Sequence, residues 1–349
     1  MPEINPAALS AIHVAGSHTE VGAAIGHAFA AQIHAMYNSY AFLQETLLPY
    51  FATAEGRDHY DALLTVNRAA FPGYVAELAG MAQGAGRPFH ELFLCNVRGE
   101  IYSAVGIDLQ GCFDCALITK DAALLGHNED GAPGAKTTAY LVHAQVDGEP
   151  GWTAYSYPGF LCGNAFGFNR RGIVLTIDNV ISRRVGIGLG RHFLARSVLA
   201  APDLDDAVKR VTRPGQGAGF NYIIGHVGQR RILAVESAPD CHHIHEVSGV
   251  YHHANHYCHL PDHPQDVRPS SHLRMERAAE LPTPTNRQEI LALLGDRSRA
   301  DYPIFRTATP PDGAATLCTA LFDLDAATLS IYLDHPTDRP EARIVLPIA

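Results

Sequence analysis

The first third of the chain has the hydrophobic periodicity of α-helices. Ser17 and Glu20 have the spacing of a capping box, which marks a helix start. Gly22 and Gly26 lie inside this helix, where glycine costs stability, so we expect them to pack closely against a neighbour. An apolar stripe repeats every fourth residue, at Val21, Ile25, Phe29 and Ile33. Further helices are predicted over about 58–84, broken near Pro72-Gly73, and over about 90–104, with Leu92, Leu94 and Val97 inward and Glu91, Arg98 and Glu100 polar.

After Gly111 the pattern changes to strands. Predicted strands are 112–119, 122–128, 138–146, 152–157, 172–179, 220–226, 230–236, 241–247, 250–255, 315–322 and 328–333. Helices are predicted at 191–200, 204–211, 271–281 and 287–295. Runs of strands separated by helices predict an α+β fold with two antiparallel sheets and helices outside them.

The most informative stretch reads as a β-hairpin. Its first arm runs from Gly111 to Ile118, Lys120-Asp121 make the turn, and the second arm ends in the polar group His127 to Asp130. A thiol, Cys112, opens the first arm. Because the open ends of an antiparallel hairpin lie side by side, local geometry brings this thiol next to a carboxylate.

Composition limits the function classes. The 349 residues carry a formal net charge of -10, which argues against a nucleic-acid backbone as partner. No apolar run approaches the roughly 20 residues that span a bilayer. The N-terminus lacks the basic and apolar parts of a signal peptide, and seven cysteines form no disulfide framework. We therefore expect a cytoplasmic globular protein with reduced thiols and no membrane partner.

The Gly111–Cys112 bond is a candidate for self-cleavage. Glycine allows an unusual backbone conformation there, and residues 106–110 read as an exposed joint between the helical and strand-rich parts. An N-to-S acyl shift followed by hydrolysis would leave Cys112 with a free α-amine, whose pKa near 8 in model peptides suits a general base. Cys115 is the rival thiol, but it lies on the opposite face of the strand among apolar neighbours. A buried structural cysteine is the bland alternative for either residue.

Several motifs in order resemble the isopenicillin-N acyltransferase family of N-terminal-nucleophile hydrolases, to which bile-salt hydrolases and penicillin V acylases are more distant relatives. The Gly111-Cys112 junction and the Asn128-Glu129-Asp130 end of the hairpin carry most of this resemblance. Similar motifs follow the family order at Gly16–Gly26, Asn96–Glu100, Pro158–Gly172, Gly219–Tyr222, Val235–Pro239 and His253–His256.

The resemblance implies an αββα sandwich made as a precursor. Cleavage between Gly111 and Cys112 would give an α fragment, 1–111, and a β fragment, 112–349, which stay together as one structural domain. Cys112 would be the nucleophile, Asp130 the carboxylate that holds it, and Asn221 the amide that donates to the oxyanion. Arg274 matches a basic residue near the pocket, with a solvated helix face as its alternative. The alternative for Asp130 is a turn residue before Gly131, and that for Asn221 is a strand-end hydrogen bond.

The resemblance also implies a reaction class. The enzyme would cleave a linear amide of a small N-acyl compound through a thioester on Cys112, with water or an amine as acceptor. No cofactor is implied. The resemblance leaves open whether an acyl-CoA or an amine serves as co-substrate and whether the chain forms a homo-oligomer.

Departures from the family pattern bear on the site. Phe113 follows the nucleophile where the family usually has Ser or Thr, so a large ring is expected to narrow the pocket or slow self-cleavage. His127 stands where the bile-salt branch has Arg, and it either tunes the thiolate or packs. Asn128, like His127, Arg274 and Phe113, is a candidate catalytic or substrate-binding residue.

Two other functions compete with this one. A metal-dependent hydrolase could use the His-rich region 241–263, but that region lacks a Cys-x-x-Cys or His-Glu-x-x-His arrangement, so we expect no metal site. Alternatively, the fold is a non-catalytic binding protein in which Phe113 blocks the thiol.

Overall fold

The computed structural model describes residues 9–102 and 111–348. The joint expected at 106–110 lies outside the described residues. The helices are α1 His18–Ala28, α2 Ala30–Ser39, α3 Leu48–Phe51, α4 Ala54–Ala70, α5 Pro72–Ala85, α6 Phe89–Asn96, α7 Arg98–Ile101, α8 Arg191–Val198, α9 Leu204–Val211, α10 Pro269–Glu280 and α11 Arg287–Leu294. A π-helical turn, Leu43–Leu47, leads into α3.

The strands form two sheets. They are β1 Ser10–Gly16, β2 Gly111–Ile118, β3 Ala123–Gly131, β4 Tyr140–Val146, β5 Trp152–Ser156, β6 Phe166–Asn169, β7 Ile173–Asn179, β8 Phe220–His226, β9 Arg231–Ser237, β10 His242–Glu246, β11 Gly249–His253, β12 Ala315–Asp323, β13 Thr328–Tyr332 and β14 Ile344–Pro347. The first sheet has the order β1-β4-β5-β6-β7-β8-β9-β10, and the second β11-β2-β3-β12-β13-β14. Strand pairs are antiparallel except β1 with β4.

Three apolar clusters stack these elements into four layers. One cluster packs the N-terminal helices, α8 and α9 on the outer face of the first sheet. A second, with Leu125, Phe166 and Ile223, fills the space between the sheets. A third packs α10 and α11 on the outer face of the second sheet. The αββα arrangement expected from the sequence is therefore confirmed.

Three strands are missing from the sequence prediction. β1 and β14 are edge strands, each paired on one side only, and β14 ends in a proline. β6 has only four residues, one of them glycine. Short strands give too few alternating positions to be recognised. β1 also means that the segment before Gly111, expected to be helical, adds a strand to the first sheet.

The close packing expected at the two glycines of α1 is confirmed. The capping box of Ser17 and Glu20 starts this helix. A Cβ on Gly22 would lie 1.8 Å from the Glu77 carbonyl oxygen, and one on Gly26 2.1 Å from that of Met81. Helices α1 and α5 therefore touch backbone to backbone.

None of the described helices combines the length and the hydropathy that crossing a bilayer needs.

Candidate active site

The β2–β3 hairpin places four reactive side chains on one face of the second sheet. Cys112 pairs directly with Glu129, and Asp114 with His127. Because strand side chains alternate between faces, these four residues share the face that looks toward the first sheet. The open end of the hairpin thus brings a thiol, an imidazole and two carboxylates together.

The thiol of Cys112 is nearly enclosed, with 7% of the residue exposed. Its Sγ lies 3.9 Å from Glu129 Oε2. The thiol, a ring nitrogen of His127 and a carboxylate oxygen of Glu129 all lie within 4.8 Å of one another. Burial and the negative charge of Glu129 raise the pKa of Cys112 well above its usual range. The thiol therefore needs a base to become a nucleophile at neutral pH.

His127 bridges two carboxylates. Its Nδ1 lies 3.1 Å from Asp114 Oδ1 and its Nε2 lies 3.0 Å from Glu129 Oε2. Burial alone would lower the pKa of His127, but Asp114 and Glu129 hold the net shift well above the usual value. Burial and the neighbouring Asp178 raise the pKa of Asp114 to about 7. We assign His127 a positive charge that partly offsets the carboxylate next to the thiol.

The backbone of Cys112 is held at both of its polar groups. Its N–H donates to Asn255 Oδ1 at 3.1 Å. Arg274 Nη1 donates to its carbonyl oxygen at 2.6 Å, while Nη2 donates to Asn255 Oδ1 at 2.6 Å. Arg274 is fully buried, so the solvated-face alternative does not apply. Arg274 and Asn255 together fix the position of the residue that would become the new N-terminus.

Asp130 is linked to Cys112 through Arg274. Its Oδ2 lies 3.4 Å from Arg274 Nη1 and 3.8 Å from Arg306 Nη1, and its Oδ1 accepts from Thr316 at 2.7 Å. Burial outweighs these two guanidinium groups and raises the pKa of Asp130 to about 6. Cross-strand from Asp130, Gly111 leaves no room for a side chain, because an added Cβ would lie 2.6 Å from Arg306 Nη1.

Asn221 is buried beside the site, with its amide directed elsewhere. Its Nδ2 donates to Asp178 Oδ2 at 2.8 Å, and its Oδ1 has no hydrogen-bond partner in the described part of the chain. It does not line the cavity at Cys112. His253 also holds Asp178 Oδ2, at 2.8 Å.

Phe113 and Asn128 lie on the opposite face of the hairpin from Cys112. Phe113 packs in the cluster under α10 and α11, together with Cys115. Asn128 donates to the carbonyl oxygens of Leu294 and Ile304, at 2.8 and 3.2 Å. The expectation that the Phe113 ring narrows the pocket or blocks the thiol is therefore corrected by strand alternation, and Asn128 ties the sheet to the α11 region.

A cavity of about 800 Å³ opens beside the thiol. Gly111, Cys112, Glu129 and Asp130 line one part of it. Aromatic residues and two arginines line much of the rest: Tyr40, Phe42, Tyr157, Phe160, Phe220, Arg98 and Arg191. A small organic molecule fits this volume.

The His-rich region contains two groups whose ligand atoms are close enough for a metal ion. They are Glu236, His253 and Cys258, and Asp240, Cys241 and His263. In the first group the Glu236 carboxylate already accepts from His253 Nε2 and from the backbone N–H groups of Cys258 and His259. These bonds satisfy the carboxylate with protein donors, so the geometry does not call for an ion there.

Sequence reasoning missed several site residues. Glu129 and Asp114 could have been found by applying the two-residue period of strands to β2 and β3. Asn255 lies in the motif His253–His256, which by itself does not indicate a contact with Cys112. Arg98 and Glu100, expected on a polar face, are buried. No local sequence pattern points to Arg191 or Arg306, because a helix and a loop distant in sequence carry them to the site.

Comparison with known proteins places these observations in a family. The family model for acyl-coenzyme A:6-aminopenicillanic acid acyl-transferase matches residues 117–338, more than half of the chain. A β-alanyl-dopamine/carcinine hydrolase of Drosophila melanogaster is 29% identical over 373 aligned positions, covering 97% of this chain and 96% of that protein. The 40 kDa form of acyl-coenzyme A:6-aminopenicillanic-acid-acyltransferase from Emericella nidulans is 24% identical, covering 80% of each chain. Penicillin V acylase from Agrobacterium tumefaciens is 12% identical, with a TM-score of 0.41 over 63% of this chain and 82% of its own. The family match shows that this chain belongs to the acyl-coenzyme A:6-aminopenicillanic acid acyl-transferase family.

Proposed function

We propose that this chain is a self-processing amidohydrolase with Cys112 as its N-terminal nucleophile. The observation that carries the proposal is the setting of Cys112. Asn255 and Arg274 hold both backbone groups of this residue, while its thiol lies beside a cavity of small-molecule size. A cysteine with a purely structural role would require neither these two backbone hydrogen bonds nor an adjacent cavity.

Processing would begin with attack of the Cys112 thiol on the Gly111 carbonyl carbon. The C–N bond then breaks, the nitrogen takes up a proton, and a thioester links Gly111 to Sγ. Water hydrolyses this thioester and leaves a Gly111 carboxylate, a free thiol and a free α-amine. Fragments 1–111 and 112–349 would stay associated, because helices of the first and strands of the second share one apolar cluster.

In the processed enzyme the α-amine would serve as the base. It takes the thiol proton, the thiolate attacks the substrate carbonyl, and the leaving amine receives the proton as the acyl thioester forms. Asn255 Oδ1, which accepts from the nitrogen of Cys112, would hold the amine in place. Arg274 lies beside it, and its positive charge favours the neutral, basic form of the amine.

Oxyanion stabilisation is proposed for Asn221, as the family resemblance implies. Its amide group donates to Asp178 in the precursor. The role therefore requires the Asn221 amide to exchange Asp178 for the substrate oxygen. A neutral donor suits this step, because charge develops on the oxygen only in the transition state.

The substrate class follows from the family. The two relatives are named for hydrolysis of β-alanyl-dopamine and carcinine and for acyl transfer to 6-aminopenicillanic acid. We propose a small N-acyl compound with a linear amide as the substrate here. Hydrolysis is the default outcome, since transfer to an amine, or from an acyl-CoA, requires exclusion of water.

Intact mass of the freshly purified protein tests the nucleophile. We expect two fragments that split between Gly111 and Cys112. The Cys112→Ala variant should remain full-length, and Cys115→Ala, on the opposite face of the same strand, should process as the wild type does. A single full-length wild-type species whose Cys112 resists alkylation would contradict the proposal and favour a binding protein. Stoichiometric zinc with activity lost to a chelator would favour the metal-dependent alternative.

A further inference from the structure

Two buried guanidinium groups line the cavity without a carboxylate partner. Arg98 is 7% exposed and Arg191 is 6% exposed. Among the described residues, no carboxylate oxygen lies within 4 Å of a guanidinium nitrogen of either arginine, and Glu100 contacts only the backbone N–H of Arg191. Buried charges are normally paired, because removing them from water is costly. The cavity thus carries two guanidinium groups with which no carboxylate of the described residues forms a direct ion pair.

The hydrogen bonds of the two arginines leave donors free. Arg98 Nη1 donates to the Cys95 carbonyl oxygen, and Arg191 Nη1 donates to Asn179 Oδ1 at 2.8 Å. The Nε atoms of both are buried with no hydrogen-bond partner in residues 9–102 and 111–348. One carboxylate oxygen of Glu100 accepts a hydrogen bond from the backbone N–H of Arg191, not from its guanidinium group. The enclosed Nε atoms do not reach the cavity, but Nη2 of each arginine makes no hydrogen bond within the described residues and remains a donor for an anion from outside the chain.

The guanidinium groups are held rigidly in place. Arg98 stacks over the Phe160 ring at 4.7 Å, and Arg191 over the Phe220 ring at 4.4 Å. Arg191 also lies against Gly99, where an added Cβ would be 2.5 Å from its Cζ. Stacked, immobile guanidinium groups lose little entropy when they bind a planar anion.

The other charges at the cavity are either balanced or solvated. Glu129 faces His127, and Asp130 faces Arg274 and Arg306. Glu45 is exposed. His192 follows Arg191 in the sequence, is buried and lines the same cavity. Burial and the charges of Arg98 and Arg191 hold its pKa well below the usual value, so it adds no charge. Glu100 is buried near both guanidinium groups, but it forms an ion pair with neither and burial raises its pKa, so it offsets only part of their charge. The charge left without a direct carboxylate partner therefore comes from Arg98 and Arg191.

A short path connects this charge to the nucleophile. Arg191 donates to the Asn179 side chain, and the Asn179 carbonyl oxygen accepts from Asn255 Nδ2 at 3.0 Å. Asn255 in turn accepts from the N–H of Cys112. The thiol and both arginines line the same cavity, so one small molecule can contact all three.

We propose that Arg98 and Arg191 form a subsite for a carboxylate of the substrate, so that the preferred substrates are acidic N-acyl compounds. This inference rests on the proposed function of the same cavity. A carboxylate matches the planar fork of a guanidinium group. It could belong to the amine portion, as in an N-acyl amino acid, or to the acyl portion, as in a dicarboxylic acid monoamide.

Matched substrates separate these two sources. We would compare kcat/KM for N-β-alanyl-phenylalanine with that for its C-terminal carboxamide, and N-succinyl-phenethylamine with N-succinamoyl-phenethylamine. Each pair differs only in one negative charge. We expect one acid to exceed its carboxamide by about tenfold to hundredfold, the effect of a charged hydrogen bond. Turnover of the compounds with no preference for either acid would overturn the subsite.

Variants connect the preference to the arginines. Arg98→Gln and Arg191→Gln should reduce the acid-to-carboxamide ratio by about tenfold. Gly99→Ala, which displaces the Arg191 guanidinium without removing it, should reduce the ratio in the same direction. The exposed Arg183, paired with Asp266, supplies the control Arg183→Gln, which should leave the ratio unchanged. An unchanged ratio in all three cavity variants would overturn the assignment.

A binding measurement keeps this test independent of turnover. Calorimetric titration of the wild-type chain with 3-phenylpropionate and with 3-phenylpropionamide reports the subsite directly. Tighter binding of the acid, weakened in Arg98→Gln, would support the subsite even if no amide were cleaved. Equal binding of acid and amide would overturn it while leaving the proposed function standing.

Discussion

Glu129 faces Cys112 across the hairpin and makes three contacts at once. Its carboxylate lies 3.9 Å from the thiol, 3.0 Å from His127 Nε2, and 2.6 Å from the Tyr157 hydroxyl that donates to it. A negative charge beside a thiol disfavours the thiolate, whereas the adjacent imidazolium favours it. The reactivity of Cys112 therefore depends on the balance between these two neighbours.

Replacing Glu129 with Gln should make the thiol more acidic. The change removes the charge that, after burial, contributes most to the raised pKa of Cys112. We expect alkylation of Cys112 at a fixed pH of about 8 to become faster. Asp121→Asn, an exposed change in the turn of the same hairpin, is the control. An alkylation rate that is unchanged or lower would contradict this account.

The readout has to be specific to Cys112. Cys241 and Cys258 are both exposed free thiols. Partial burial would raise the pKa of Cys258, but hydrogen bonds from His253 and His256 lower it to about 7. Cys258 will therefore react early with any alkylating reagent. Peptide mapping of the residue 112 adduct, rather than total thiol loss, separates the signals.

Asp130 should make the stability of the unprocessed chain pH-dependent. Burial raises its pKa from 3.8 to about 6, so its proton is bound more tightly in the folded state. A raised carboxyl pKa stabilises the fold at low pH, and this stabilisation is lost as the pH rises from about 4 to about 6. In a Cys112→Ala background, Asp130→Asn should reduce that loss by up to about 3 kcal/mol.

Denaturant unfolding at a series of pH values measures this difference. The Asn side chain mimics the neutral acid, so the two chains should be equally stable below about pH 3, where Asp130 is protonated in both the folded and the unfolded state. The curves should diverge as the pH rises. Parallel curves would mean that Arg274 and Arg306 stabilise the ionised carboxylate fully.

At the scale of elements, the α1–α5 contact depends on the absence of side chains. Gly22 and Gly26 on α1 face backbone atoms of α5, and Gly80 and Gly84 on α5 face those of α1, with added Cβ atoms 1.8–2.2 Å from carbonyl oxygens. Atoms cannot approach so closely, so any side chain would force the helices apart. The helices thus form a rigid pair behind the first sheet.

Gly22→Ala should therefore destabilise the protein although alanine favours helices. Overpacking of this kind costs about 1–3 kcal/mol, which exceeds the helix propensity gained. Gly186→Ala, at a position with open space around it, is the matched control and should change stability little. Thermal unfolding of the two variants measures the difference. Equal melting temperatures would show that α1 and α5 can shift apart without cost.

The β2–β3 hairpin shows which features of the site sequence patterns can predict. Alternation and a polar turn predict both strands and put Cys112 beside the open end of β3, because these interactions are local in sequence. The same alternation separates Cys112 from Phe113 and Cys115. By contrast, the resemblance selected Asp130, whereas the carboxylate 3.9 Å from the thiol belongs to Glu129.

Contacts between segments distant in sequence could not be predicted from sequence patterns. Asp178, Asn221 and His253 come from three strands, and only tertiary pairing reveals that one carboxylate holds the other two side chains. Arg98 has the polar character of a surface residue, yet it is buried at the cavity. Charged residues are mostly exposed, so residue type alone does not predict a buried arginine.

At the scale of the molecule, the proposed cleavage falls at the start of an internal strand. β2 lies between β11 and β3, so the new N-terminus at Cys112 would begin inside the second sheet. The fragment before it supplies β1 to the first sheet and the helices that cover that sheet. The two fragments would therefore be held by one sheet edge and by a large apolar layer, without a covalent bond.

This arrangement predicts a difference in how precursor and processed enzyme unfold. Unfolding of the processed protein separates two chains, so its melting temperature should fall on tenfold dilution by mass action. The Cys112→Ala chain stays covalently linked, and its melting temperature should not depend on concentration. Size exclusion should nevertheless show processed fragments migrating together under native conditions, because the apolar layer they share is buried. Fragments that separate on the column would contradict a single structural unit, and a concentration-independent melting temperature in both forms would show that unfolding does not release the N-terminal fragment.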